Sequence, residues 1–305
     1  MNQLEQWNQA YGIDGQVNFT LGKGDMPIVK IDNEQAQASI ALQGAHVLSF
    51  QAKGEAPLIW MSEDASFAPA SSLRGGIPIC WPWFGPHATD ESMPAHGCAR
   101  TNDWQPIASK GNDDGSILVS FELIESDCTK DLCAHPLNVR LHLTVGTHLN
   151  LALETTNLGD SSFILGQALH TYFNVGDVSK ASIEGFDGKE YIDKVKSAGD
   201  YGVHKIQQGA IEIASEVDRI YLNTAKCCEI IDPVLERKIL ISCEGSASTV
   251  IWNPWIDIAT QMGDLGADGY LNMLCVETTN AADDLIELAA GATYRLAADY
   301  SSQAL

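Results

Sequence analysis

The chain has 305 residues and carries 40 acidic side chains against 18 basic ones, for a formal net charge of −22. A field of that sign repels nucleic acid and anionic membranes, and it makes any arginine that meets an anionic ligand a local exception. Hydrophobic residues make up 45 % of the chain, enough for a packed core, and no run of about 18 apolar residues offers a membrane span.

Met1–Trp7 lacks the basic and apolar regions of a secretory signal, so the expectation is a cytoplasmic protein. Gln3–Tyr11 has the pattern of a short helix. Beyond it the dominant signal is period-2 alternation, the mark of half-buried strands. Strands are expected in Ala38–Phe50, Phe163–Asn174, Ala181–Phe186, Cys227–Ile231, Lys238–Cys243, Thr249–Trp252, Met273–Glu277 and Ala292–Tyr300. Val119, Phe121 and Leu123 alternate with polar neighbours. Leu141, Leu143 and Val145 lead into Gly146-Thr147 and out through Leu149, Leu151 and Leu153, which reads as a hairpin. Ala282–Leu288 is the only other helical candidate. Many strands, few helices and no alternation of strand with helix predict an all-β chain, an antiparallel sandwich or barrel. With no linker in sight, residues 1–305 are expected to form one domain.

Eight cysteines, at 80, 98, 128, 133, 227, 228, 243 and 275, form no C-x-x-C pair. They are expected to be reduced and mostly buried, and their spacing does not suggest a zinc site.

Residues 71–106 break the strand pattern with Gly, Pro, His and aromatics at a density that suits long fixed loops. Arg74-Gly75-Gly76-Ile77-Pro78, followed by Cys80-Trp81-Pro82-Trp83-Phe84-Gly85, combines a planar fork for phosphate with flat apolar faces for a sugar; a stiff loop with core aromatics would look the same. His96-Gly97-Cys98-Ala99-Arg100 sets an imidazole and a guanidinium four residues apart, which suits oxygen ligands or a plain turn. His170, in Leu169-His170-Thr171-Tyr172-Phe173, is a core histidine or a proton donor with an ordinary pKa of about 6.5. Glu277 ends the apolar run Met273-Leu274-Cys275-Val276, as a strand terminus or as a base at a pocket floor. Asp218, in Asp218-Arg219-Ile220-Tyr221, could accept sugar hydroxyls or pair with Arg219.

Taken together and in this order, these segments, with Val250-Ile251-Trp252-Asn253-Pro254-Trp255 and Cys275-Val276-Glu277, resemble the glucose-6-phosphate 1-epimerase branch of the aldose 1-epimerase (galactose mutarotase-like) superfamily. The resemblance spans nearly the whole chain. It implies a large β-sandwich that binds the sugar on a concave sheet face. It also implies His170 as general acid, Glu277 as general base, Arg74 and Arg100 as phosphate ligands, and His96 and Asp218 as further substrate ligands. One departure is Ala95, where some members carry a Gln that binds substrate, which leaves the preference among hexose phosphates open. Mutarotation requires only that the C1 hydroxyl lose a proton while the ring oxygen gains one, so no cofactor and no metal are expected. The expected partner is a small-molecule hexose phosphate, with no nucleic acid and no membrane, bound by a monomer. Competing readings are a non-catalytic carbohydrate-binding or regulatory sandwich, a cysteine hydrolase using Cys80 or Cys98, and a glycosidase pairing Glu277 with Asp218.

Overall fold

A computed structural model describes residues 1–124, 135–196 and 201–305. Two large antiparallel sheets dominate them. The back sheet has nine strands, in the order Ile211–Glu212, Ser182–Glu184, Cys227–Asp232, Arg237–Glu244, Thr293–Ala304, Leu149–Asn157, Leu137–Val145, Ile117–Leu123 and Trp104–Gly111. The front sheet has eight. Its path runs His204–Ile206, Glu190–Asp193, Val217–Leu222, Ser248–Asn253, Met273–Asn280, Gln167–Leu169 and Ile79–Cys80, and Tyr172–Asn174 pairs with the start of Met273–Asn280. A four-stranded meander, Val17–Leu21 through His46–Ala52, buries its apolar side chains in the same core as the two large sheets.

Alternation decides which side chains lie between the sheets. Val119, Phe121, Leu141, Leu143, Leu151 and Leu153 point inward from the back sheet, and Leu169, Phe173, Ile251, Leu274 and Val276 from the front sheet; all are buried in one apolar cluster. Burying such side chains stabilises the fold by about 1.5–3 kcal/mol each relative to exposure. The hairpin turning at Gly146-Thr147 forms as its pattern requires, with Leu141 opposite Leu153 and Leu143 opposite Leu151.

The Gln3–Tyr11 helix forms with the expected bounds, closed by a reciprocal cap between Asn2 and Glu5. Two expectations fail. Ala282–Leu288 is not a helix: Ala282–Asp284 is a single 3-10 turn and Ile286–Leu288 pairs with Phe163–Leu165, because Ala282 sits in the left-handed region with φ 53° and breaks the run. Trp255–Gln261 is a helix the alternation did not suggest. The long candidates Ala38–Phe50 and Phe163–Asn174 are each divided, the second at a point that matters for the site. Six cysteines are free thiols: Cys80, Cys98 and Cys275 buried, Cys228 and Cys243 half-buried, Cys227 exposed. Cys128 and Cys133 lie outside the described residues. Among the described residues no helix is long and apolar enough to cross a membrane.

Candidate active site

The face of the front sheet turned away from the core carries polar groups in registered rows. Asp218 pairs with Trp252, Trp252 with Cys275, and Cys275 with Tyr172, so these four side chains share one face. The next row up holds Ile220, Val250 and Glu277. Asp218 and Glu277 stand two strands apart and one row offset, about 12 Å along the diagonal of the sheet, which leaves room for a pyranose ring between their side chains.

The strand facing Met273–Asn280 is interrupted opposite Glu277. Leu169 pairs with Thr278 and Tyr172 with Cys275, and between them the ladder opens at His170 and Thr171. There the Thr171 N–H donates to the Leu169 carbonyl at 2.9 Å, a three-residue turn centred on His170. The His170 N–H donates instead to the Pro78 carbonyl at 3.0 Å. Alternation persists through the break. Leu169 and Phe173 enter the core, and the Thr171 hydroxyl lies 2.8 Å from that of Tyr300. His170 and Tyr172 therefore face the site together. Their rings stack at 5.0 Å and 9°, and Tyr172 stacks in turn on Trp60 at 6.0 Å. This column holds the imidazole with its Nε2 3.4 Å from Glu277 Oε1.

His170 keeps 12 % of its side-chain exposure and Glu277 2 %, so solvent reaches the pair from the histidine side. Burial drives both groups toward their uncharged forms. It lowers the His170 pKa well below 6.5, helped by His96, Arg100 and Arg74, and raises that of Glu277 well above 4.5, helped by Asp218 and opposed by Arg100. Glu277 Oε2 and His170 Nδ1 are buried without a hydrogen-bond partner of good geometry. Such orphaned atoms on a concave face are what a ligand's hydroxyls would satisfy.

The remaining expected residues surround this pair. Arg74 donates through Nε to Asp264 at 3.0 Å and through a terminal nitrogen to the Tyr172 hydroxyl at 3.2 Å. Arg100, on the 3-10 turn Ala99–Thr101, donates to the Ala95 carbonyl at 2.9 Å. The position that departs from the family pattern thus anchors the guanidinium through its backbone. His96 takes the left-handed conformation with φ 67°, and its Nδ1 accepts from the Gly85 N–H at 3.3 Å. Its ring lies 6.0 Å from that of His170, and burial and Arg100 lower its pKa to about 4. Gly97, at φ 71°, passes so close to Trp81 that a Cβ would meet the Trp81 carbonyl oxygen at 1.9 Å. Asp218 is half-buried on Val217–Leu222, and burial raises its pKa to about 6. It does not pair with Arg219, which turns to Tyr191, Tyr221 and Gln207.

Sequence reasoning missed several supporting residues. His46 is buried, its Nε2 2.8 Å from the Gly75 carbonyl, which fixes the Arg74 loop from beneath. Asp264 shares Arg74, and Trp252 sets its ring edge-on to His170 at 6.1 Å. Aromatics within quoted motifs were signals available beforehand; the Asp264 pairing, 190 residues away in sequence, was not. The Cys80 thiol is pushed up to about 12 by burial, contrary to what a cysteine nucleophile requires.

Comparison with known proteins identifies the family. The family model described as aldose 1-epimerase matches residues 27–301. A curated relative from Escherichia coli (strain K12), named "Putative glucose-6-phosphate 1-epimerase", is 38 % identical over 259 residues, covering 85 % of each chain. One of the same name from Cenchrus ciliaris is 35 % identical, covering 85 % of this chain and 79 % of its own. The crystal structure of a "putative mutarotase" from Salmonella typhimurium superposes with a TM-score of 0.88 at 31 % identity, over 100 % of both chains. The chain therefore belongs to the aldose 1-epimerase family and is an isomerase of the epimerase type.

Proposed function

We propose that the protein interconverts the α and β anomers of a hexose 6-phosphate, glucose 6-phosphate foremost, using Glu277 and His170 as the acid–base pair. The observation that carries this reading is the 3.4 Å approach of His170 Nε2 to Glu277 Oε1 at a strand interruption, with both arginines close enough to lower the His170 pKa. The names of the relatives point to the same substrate.

Glu277 takes the proton of the C1 hydroxyl and His170 delivers one to the ring oxygen. The ring opens to the aldehyde, the C1–C2 bond rotates, and closure on the other carbonyl face reverses both transfers. Each partner of such a pair contributes about 10²–10⁴-fold. Burial disfavours both charged forms, so the working arrangement, an ionised Glu277 beside a protonated His170, needs support from the substrate. Its phosphate, held by Arg74 and Arg100, cancels the positive field that lowers His170 and so favours the imidazolium. Asp218 accepts sugar hydroxyls from the opposite edge of the face, and Trp252 offers a flat side to the ring.

Substitution of Arg100 by alanine tests the phosphate assignment. A charge-assisted hydrogen bond contributes about 1.5–3 kcal/mol, so KM for glucose 6-phosphate should rise by about 10- to 100-fold, while KM for free glucose changes little. Equal changes for both sugars would remove Arg100 from the phosphate site.

A further inference from the structure

One buried side chain of the site has no part in mutarotation. Cys275 lies two residues before Glu277 on the same face of Met273–Asn280 and directly opposite Tyr172. One donor atom from each of His170, Cys275 and Glu277 lies within 4.8 Å of the other two, and all three groups are buried. The geometry points to an inhibitory site for a thiophilic divalent cation of the zinc type, bound by Cys275 Sγ, a His170 ring nitrogen and a Glu277 carboxylate oxygen, in competition with the sugar.

Sulfur, imidazole and carboxylate are the donor types that zinc takes, and three protein ligands with an open fourth position is a common arrangement. Bonds of about 2.0–2.3 Å place tetrahedral ligand atoms about 3.3–3.8 Å apart. His170 and Glu277 already meet at 3.4 Å, so the sulfur needs a shift of about 1 Å at most. Two observations beyond the thiol indicate a ligand here: Glu277 Oε2 and His170 Nδ1 are both buried without a hydrogen-bond partner of good geometry. The net charge of −22 also concentrates cations around the molecule. Binding displaces to solvent both the Cys275 thiol proton and the one proton that the His170–Glu277 pair holds in the proposed mechanism, and the resulting thiolate and carboxylate balance the cation's two charges. The cation then occupies the nitrogen and the oxygen that would meet the ring oxygen and the C1 hydroxyl. Chemistry that needs no metal thus stands on a surface that a metal can block.

Metal binding itself is independent of the proposed function; only the competition with sugar rests on it. The test uses the full chain, wild type and Cys275→Ala, with Cys227→Ala as an exposed-thiol control. Zn2+ is titrated during anomer exchange of glucose 6-phosphate, and Co2+ binding is followed separately by thiolate-to-metal charge-transfer absorption. Wild type and Cys227→Ala should show the absorption and be inhibited, with relief by a chelator or by more sugar phosphate. Cys275→Ala should exchange anomers without metal, lack the absorption, and need about 100-fold more Zn2+ for half inhibition, the upper end of what loss of a mere outer-shell partner costs. Equal inhibition of wild type and Cys275→Ala, or a wild type without the absorption, would overturn the site. Absorption that depends on Cys275 in a protein that exchanges no sugar would uphold the metal site and refute the proposed function instead.

Discussion

His170 and Glu277 are displaced in opposite directions from their usual pKa values, and the kinetics should carry the mark of that. In the proposed mechanism the working pair holds one proton. It gains a second below the depressed histidine value and loses its last above the raised carboxyl value; these steps belong to the pair. The rate should therefore fall on both the acid and the alkaline side, as a bell. A rate of anomer exchange that climbs steadily into alkali would contradict an acid in the mechanism. Asp218 provides a separate check through stability. Its folded pKa of about 6 exceeds the ordinary 3.8, so the folded state binds its proton more tightly than the unfolded one. The ionised form is penalised fully above pH 6, and the penalty vanishes below 3.8. Asp218→Asn should stabilise the fold by on the order of 2–3 kcal/mol at pH 7.5, a gain that shrinks as pH falls through 6 and disappears near 4. Thermal unfolding across that range measures it, and a gain that persists at pH 4 would contradict burial as the cause.

At the scale of elements, the site depends on two irregularities in otherwise regular strands. One is the turn at His170. The other is the clasp in which His96-Gly97 closes on Trp81, with the Trp81 N–H donating to the His96 carbonyl at 3.2 Å and the Cys98 N–H to the Trp81 carbonyl at 2.9 Å. Gly97→Ala would force a Cβ against the Trp81 carbonyl and should displace both His96 and Arg100. Gly209, with φ 67° and nothing within 4 Å of the added atom, supplies the control. Its alanine variant pays only the backbone term of about 1–3 kcal/mol. The Gly97 variant should lose more stability and also raise KM for the sugar phosphate; equal effects of the two substitutions would mean the clasp does not position the arginine. These irregularities mark the limit of what the sequence could reveal. Alternation in Leu169–Phe173 left His170 open as a core or a site residue, and period-2 reasoning treated Phe163–Asn174 as one strand and could not locate the break opposite Glu277. That break depends on which strand lies across, a long-range register. The Trp255–Gln261 helix was hidden for a local reason. Start signals exist in Asn253-Pro254 and Asp257, but the helix has only 7 residues and its first, Trp255, sits at φ 54°, so no helical period stands out. Arg74, Arg100 and Asp218 were legible as residue types. Their partners Asp264 and the Ala95 carbonyl, and the diagonal from Asp218 to Glu277, exist only in the folded sheet.

For the whole molecule, the surplus of 22 negative charges is a self-repulsion that the folded state must bear. Raising NaCl from about 20 to about 200 mM shortens the screening length from roughly 20 to roughly 7 Å and should raise Tm by several degrees; an unchanged or lower Tm would mean that local ion pairs such as Arg295–Glu244 outweigh the net field. The proposed sugar phosphate would approach this acidic surface against its charge, so in that reading the arginines beside His170 and Glu277 provide the attraction locally. The proposed function rests on one assertion, that Glu277 moves the proton of the anomeric hydroxyl. Two-dimensional exchange NMR on glucose 6-phosphate, with wild type and Glu277→Gln compared at equal concentration, tests it most directly. Wild type should accelerate anomer exchange and the variant, folded and of nearly the same shape, should lose about 10²–10⁴-fold of that acceleration. Full exchange by Glu277→Gln would contradict the account.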